Sequence, residues 1–416
     1  MFRPKNNSHR RNYIVYMAHI WTFVLLLFVG AVKNDTATLA QSEFWSDITR
    51  TYILSLIKDY IYILYIILFI LFLYSVSSLK MIRFRINSYV LLFVSVYFYG
   101  FLRGMYTDFT FSAKMLTGFL LFLGLYTYIY SIYITFKMDA SEIISRSFYL
   151  ISVILISLNI IEYIAGGGFV PGVSRYFGSS SHPNFIGVQM AVCCAAVIYS
   201  SKATSKFTKF INFSFFLMGL FILYISGSRT ALVVLLGETL CIILFGRRQT
   251  YTSIIAIHIF IVAVSILVLF YSDSILYLLS SSVYDRGAYG GDTRAEAWSG
   301  LWNAVMENPI TGLGEFPDFS ENSLLRGWAA MGIIYPICLA VILIAVTASV
   351  FNNNDRSTAL RLRLNVSIFT GLTVGAIFEG YLVDTLSFPV IVWFVCLTDI
   401  FIVTCEIAKA KTSESR

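Results

Sequence analysis

The sequence predicts an all-α polytopic membrane protein of about 12 transmembrane helices, with residues 1–416 forming a single integral membrane domain. Three observations predict it. Of 416 residues, 58% are hydrophobic and only 13% are charged, about half the charged share of an average soluble domain. The mean hydropathy is +0.76. Apolar runs close to the ~20 residues that cross a bilayer recur along the chain, bounded by charges or Gly/Ser clusters. This composition excludes a water-soluble enzyme, a disordered regulator and a nucleic-acid-binding protein.

Taken in order, the apolar runs are 13–32, 59–78, 88–102, 115–136, 147–164, 184–200, 210–226, 231–246, 253–272, 327–350, 364–383 and 388–405. The first follows the basic cluster Arg3, Lys5, Arg10 and Arg11. No small-residue cleavage site comes after it, so it reads as a retained helix rather than a removed signal peptide. Residues 41–58, ahead of the second run, read as a candidate interfacial helix. The third and eighth runs are short. With the N-terminus inside, alternate loops collect 20 of the 30 Lys and Arg residues. Cytoplasmic loops concentrate such residues whatever the function, so both termini are expected in the cytoplasm. The net charge of +7 then mostly reflects topology rather than an anionic partner.

The six cysteines, Cys193, Cys194, Cys241, Cys338, Cys396 and Cys405, sit in apolar runs without a CxxC pair. Thiols there behave as small hydrophobes, and neither disulfides nor a metal site is expected. Two outer segments stand apart by polarity: 165–183 (AGGGFVPGVSRYFGSSSHP) and the long stretch 273–326. A connection of the latter length is rare unless functional or disordered. Its short helical patterns around 294–306 predict ordered structure, so chemistry is expected on the outer face.

Arginines that remain outside against the positive-inside bias each need a reason. Arg229 lies in SGSRTAL between two runs joined by almost no loop, at the outer boundary, where an ionisable group usually faces a protein cavity. Arg286 and Arg294 frame the Gly-rich turn DRGAYGGDTR, and Arg175 precedes SSSHPN. A guanidinium fork matches phosphate oxygens bidentately. Two or three together can hold a lipid pyrophosphate at the interface and stabilise it as a leaving group. The plainer alternative is snorkelling to headgroups or pairing with Asp285, Asp292 or Glu296, which suits Arg326 best.

His182, beside Pro183 and Asn184, reads first as a loop-to-helix cap and second as a substrate contact. Glu162 and Glu238 are isolated intramembrane acids, and Glu379 with Asp384 forms an outer acidic pair. Glu321, in FSENSLLRGWAAMG, shares the outer side with the arginines. It can take the proton from an attacking hydroxyl as a general base, or serve as a cap-like acid at a helix start. Asn322 and Trp298 are further candidate substrate contacts. Tyr176, Phe177, Trp302 and Trp328 join Trp298 as aromatics that can stack on sugars, although Tyr and Trp also gather at membrane interfaces.

The order Arg294-x3-Trp298-x10-Pro309-x2-Gly312-x-Gly314, then Glu321-Asn322-x9-Gly332-x2-Tyr335, resembles the O-antigen ligase and polymerase superfamily. SGSRTAL at 226–232 is similar to that family's arginine turn. The resemblance implies glycan transfer on the periplasmic face of a bacterial inner membrane. The donor would be a glycan linked through pyrophosphate to undecaprenol, bound by Arg229, Arg286 and Arg294. The acceptor would be another lipid-linked repeat unit in a polymerase, or lipid A core in a ligase. No metal or other cofactor is implied, since the lipid pyrophosphate is already activated. Membrane lipids and a chain-length regulator are the further candidate partners. Ligases of this family carry His immediately before the Asn of the last motif, where this chain has Glu321, so polymerase is the first reading. The rival class is a lipid-linked-oligosaccharide flippase or secondary transporter using Glu162 and Glu238. It would favour paired halves with broken helices, and no half-to-half symmetry is visible.

Overall fold

The computed structural model describes residues 7–32, 48–79, 82, 87–136, 140–169, 175–180, 182–200, 205–244, 293–319, 321–351, 356–384 and 386–414. In chain order the helices are α1 (Asn7–Val32), α2 (Tyr52–Asp59), α3 (Ile61–Ser77), α4 (Ser88–Gly104), α5 (Phe109–Phe136), α6 (Ala140–Ile164) and α7 (Pro183–Ser200). They continue with α8 (Lys206–Ser226), α9 (Arg229–Leu244), α10 (Thr293–Glu307), α11 (Ser323–Met331), α12 (Ile334–Phe351), α13 (Arg356–Gly375) and α14 (Phe388–Glu414). A 3-10 turn covers Tyr381–Val383. Among the described residues the β structure is limited to an isolated bridge between Phe169 and Tyr176. The chain is an all-α polytopic membrane protein. Within the described residues α1, α5, α6, α8 and α14 are each long and apolar enough to cross a bilayer, and α2 with α3 makes a bent sixth.

Every expected run within the described residues is helical, while 253–272, one of the expected 12, lies outside them. Three boundaries differ for local reasons. The second span bends by 62° at Tyr60, where α2 meets α3. Thr51 caps α2, and Glu162 of α6 accepts hydrogen bonds from both the amide and the hydroxyl of Thr51, tying this short helix to the bundle. The run 327–350 is two helices. Gly332, at φ 73°, ends α11, and a Cβ there would collide with the backbone of Ile310 and Thr311. The run 364–383 stops as a helix at Gly375 and continues as a turn, carrying Glu379 and Asp384 away from the helix axis.

α14 is the centre of the bundle. Trp393, Phe394 and their neighbours are fully buried, with Phe394 4.6 Å from Phe122 and Trp393 5.1 Å from Phe369 between ring centroids. α3 is the opposite case, with Phe69 and Ile70 about three-fifths exposed, as a lipid-facing helix should be. α13 lies directly against α9 through Gly371 and Gly375. A Cβ at Gly371 would meet the Glu238 side chain and the Val234 carbonyl, and one at Gly375 would meet Val234 and the Tyr381 hydroxyl. Small residues at that spacing let two membrane helices approach closely. This contact fixes where Glu379, four residues beyond Gly375, meets the start of α9. Five cysteines are buried, Cys405 is exposed, and all six are free thiols.

Candidate functional site

The segment between α6 and α7 is anchored before it delivers its side chains. The Tyr176 hydroxyl donates to the Asn159 carbonyl at 2.8 Å, and the Asn159 side chain accepts from the Ser179 amide and donates to its hydroxyl. The Tyr176 amide donates to the Ile225 carbonyl at the end of α8. Tyr176 is therefore wholly buried as a strut, which removes it from the sugar-stacking candidates. With its neighbour fixed, Arg175 bridges two segments. Its Nε donates to the Ser226 carbonyl at 3.0 Å and its Nη2 to Asn184 Oδ1 at 2.6 Å.

His182 caps α7. Its Nδ1 accepts from the Asn184 amide at 3.2 Å, and its carbonyl accepts from the Ile186 amide. Accepting at Nδ1 places the proton of the neutral ring on Nε2. Burial first, and then the Arg175 guanidinium, push the His182 pKa down to about 3. The ring is therefore neutral at physiological pH.

The turn before α9 is equally determined by its sequence. Gly227 takes the left-handed conformation at φ 62° to end α8, and the Ser228 hydroxyl accepts from the Ala231 amide to start α9. Arg229 is then the first residue of α9, half-buried, with Thr230 beside it. α7 packs close to this turn at Gly187, where a Cβ would crowd Ser228, Ala231 and Ser226.

These pieces meet at Glu379. Its Oε1 accepts from Asn184 Nδ2 at 2.6 Å and from the Thr230 hydroxyl at 3.2 Å. Its carbonyl accepts from the Ser323 amide and, at 2.6 Å, from the Ser323 hydroxyl. The N-terminal ends of α7, α9 and α11 thus converge on one residue, and each carries the partial positive charge of a helix start. The acids Glu379 and Asp384 have different hydrogen-bond partners. Asp384 instead takes the buried Arg326 guanidinium at 3.3 Å, a partner other than the three acids expected for it.

Glu321 lies next to this junction, half-buried, just ahead of the residue that caps α11. The cap of α11 is Asn322, whose Oδ1 accepts from the Leu324 and Leu325 amides at 3.0 and 3.1 Å. Asn322 adopts φ 61° to do so, a conformation that Asn tolerates better than most residues. The capping alternative considered for Glu321 is therefore filled by its neighbour. The ring of Trp298 stacks on Phe378, with centroids 6.4 Å apart, which brings α10 beside Glu379. Position 294 lies one helical turn earlier on the same face of α10. Arg286 is outside the described residues, as is the side chain of Arg294. The structure therefore gathers Arg175, Arg229 and Glu321 at one end of the bundle, with α10 alongside.

Three other basic residues have structural contacts of their own. Lys58 donates to the Val32 carbonyl, Arg103 to the Gly312 carbonyl, and Lys114 lies over the Phe316 ring. Gly312 and Gly332 of the quoted pattern bring the 308–314 loop onto the α11–α12 break, where a side chain at Gly312 would strike the Ala330 and Gly332 backbones. Trp302 and Trp328 meet edge-to-face at 6.0 Å, leaving Trp302 nearly half exposed. Among the described residues no three His, Cys, Asp or Glu side chains gather into a metal-binding set. Sequence reasoning missed Asn184, Thr230 and Ser323 as partners and treated Glu379 as one of a pair. Their local signals are those of ordinary helix starts, and only long-range contacts join them.

Residues 213–336 match a family model described as O-antigen ligase. The matched stretch contains Arg229, Arg294, Trp298, Glu321 and Asn322, and stops before Glu379. A search of curated proteins finds no match. The family match supports glycan transfer of the O-antigen ligase/polymerase type, with lipid-linked glycans and membrane lipids as its partners, in a family of the bacterial inner membrane.

Proposed function

We propose, on the premise that this chain is a member of the O-antigen ligase/polymerase superfamily through residues 213–336, that it is a glycan polymerase. It transfers an undecaprenyl-pyrophosphate-linked oligosaccharide or growing chain onto a sugar hydroxyl of another lipid-linked repeat unit, on the periplasmic side of the inner membrane. The observation that carries this reading is the meeting of Arg175, Arg229 and the segment bearing Glu321 around Glu379. Arg229, with Arg294 and Arg286 from the neighbouring stretch, binds the donor pyrophosphate and stabilises the charge that develops as the glycosyl bond breaks. Glu321 accepts the proton of the acceptor hydroxyl. The leaving lipid pyrophosphate needs no further activation, so the reaction runs without a metal or cofactor. Arg175 and Asn322 hold the surrounding backbone, and His182, as a neutral ring with its proton on Nε2, offers a hydrogen-bond donor. Trp298 supports α10 against Phe378. A chain-length regulator acts on the product from outside this site.

The experiment is turnover of a synthetic lipid-pyrophosphate repeat unit by purified protein in nanodiscs. A ladder of products spaced by one repeat supports polymerisation, and no transfer of any kind rejects it. The description of the matched family favours a second reading, ligation to lipid A core. Transfer to lipid A core in preference to a second repeat unit would replace the first reading with that one.

A further inference from the structure

Glu379 lies outside the matched segment, yet more of the junction depends on it than on any residue inside. It is buried, at 7% exposure. Three separate segments donate a hydrogen bond to it: Asn184 at the start of α7, Thr230 at the start of α9, and Ser323 at the start of α11. Each piece carries one of the groups in the proposed chemistry. Asn184 Oδ1 receives Arg175 Nη2, Thr230 follows Arg229, and Ser323 follows Asn322 and Glu321. We propose that Glu379 is the positioning residue of this site. Its carboxylate and carbonyl set the spacing of Arg229, Glu321 and the segment braced by Arg175, so that Arg229 is aligned for a lipid pyrophosphate and Glu321 for the acceptor hydroxyl.

The physical basis is geometric. A carboxylate oxygen that accepts two donors at once fixes the distance between the helices that supply them, and bonds to an ionised acceptor are about twice as strong as neutral ones. Three helix N-termini favour a negative charge at their meeting point, so the ionised form of Glu379 suits its place. The short α13–α9 contact at Gly371 and Gly375 holds Glu379 in register with Thr230. Without the carboxylate, the starts of α7 and α9 lose their shared acceptor. Arg229 then moves relative to Glu321 and to the segment braced by Arg175. A bidentate phosphate contact is sensitive to shifts of about 1 Å, and misplacements of that size cost up to ~100-fold.

This inference rests on the glycan-transfer reading, and the test separates the two. The probe is farnesyl pyrophosphate, titrated by equilibrium binding against full-length protein in nanodiscs, with lipid-linked repeat-unit turnover measured on the same samples. Glu379→Ala is expected to weaken binding by about tenfold or more. Glu379→Gln keeps an oxygen for Asn184 and Thr230 and is expected to stay within about threefold of wild type. A merely structural role would lower the yield of folded protein while leaving the affinity of what remains unchanged. Unchanged affinity in folded Glu379→Ala overturns the proposal. If Glu379→Ala does not fold, Asn184→Ala and Thr230→Val each remove one arm of the junction, and wild-type affinity in both overturns it equally. Wild-type protein that binds the probe but transfers no glycan rejects the glycan-transfer reading and leaves the positioning role standing. Wild-type protein that does not bind the probe overturns both.

Discussion

Two of the buried carboxylates among the described residues, Glu379 and Asp399, are satisfied by neutral side chains at opposite ends of the bundle, and they do different jobs. Glu379, at the end with the short α8–α9 turn, accepts from Asn184 and Thr230. Asp399, deep in α14, accepts from Ser141 at 2.9 Å and from Asn365 Nδ2 at 2.7 Å. Both have side-chain amide and hydroxyl donors, and both are under one-tenth exposed. Their neighbours differ. The donors to Asp399 come from the first turn of α6 and the middle of α13, neither beside a residue of the candidate site, so this acid clamps three helices together. The donors to Glu379 sit at helix starts, with Arg229 just before Thr230 and Arg175 bonded to Asn184. Both acids join helices, but only the one at 379 joins segments that also carry Arg175, Arg229 and Glu321, so only there does the junction arrange ionisable groups.

This contrast predicts different consequences for each end. The largest effect is expected from Glu321→Gln, since losing a general base typically costs 100- to 10,000-fold or thereabouts in turnover. The single-turnover rate on a lipid-linked repeat unit measures it, and normal turnover with only a small stability change would remove Glu321 from catalysis. Next comes Arg229→Ala. A charge-assisted phosphate contact is worth roughly 1.5–3 kcal/mol, or about 10- to 150-fold, so long glycan chains should vanish while single repeat units still reach the surface. Unchanged chain-length ladders in correctly inserted protein would reject that role.

At the far end stability rather than binding is expected to change. Asp399→Leu leaves the Asn365 amide and Ser141 hydroxyl buried without their acceptor, at about 1–3 kcal/mol each before relaxation. Thermal unfolding in detergent should fall by several degrees, while farnesyl pyrophosphate affinity of the folded fraction stays at the wild-type value. Lost affinity there would erase the distinction between the two ends. The smallest effect concerns pH. His182 is neutral in the folded protein because its pKa lies near 3, below the ordinary 6.5. The unfolded chain takes up the proton first on acidification, so stability present above about pH 6.5 is withdrawn as the pH falls towards 3. Melting temperatures at pH 7.5 and 5 should differ more for wild type than for His182→Asn, which keeps a capping oxygen. Equal differences would show that this imidazole contributes nothing to acid sensitivity.

Much of the architecture was legible because hydropathy reports directly on crossing a bilayer. The run at 88–102 reappears as α4 with a small shift at its end, and that at 388–405 as the start of α14, which continues nine residues further to Glu414. Hydropathy did not reveal which apolar helix faces lipid. α3 and α14 read alike in sequence, yet one is exposed and the other central, because burial depends on neighbours that no local window contains. Nor did it show the break at Gly332, which arises where the 308–314 loop packs against the helix. At the candidate site, Arg229 stood out in the sequence because an arginine against the positive-inside bias is costly. His182 was legible as a cap from Pro183 beside it. Asn184, Thr230 and Ser323 had no such signal, being polar residues at helix starts, where polar residues are ordinary.

The sequence by itself determined that this chain is helical and membrane-embedded, and which basic residues stand apart from the bias that places the rest, because these follow from composition and order. Only the tertiary structure decided that the starts of three helices, 184, 230 and 323, share one acid at 379. Hydrogen bonds between residues some 50 to 200 positions apart are fixed by helix packing, chiefly at Gly371 and Gly375, and packing is not written in any single stretch of chain.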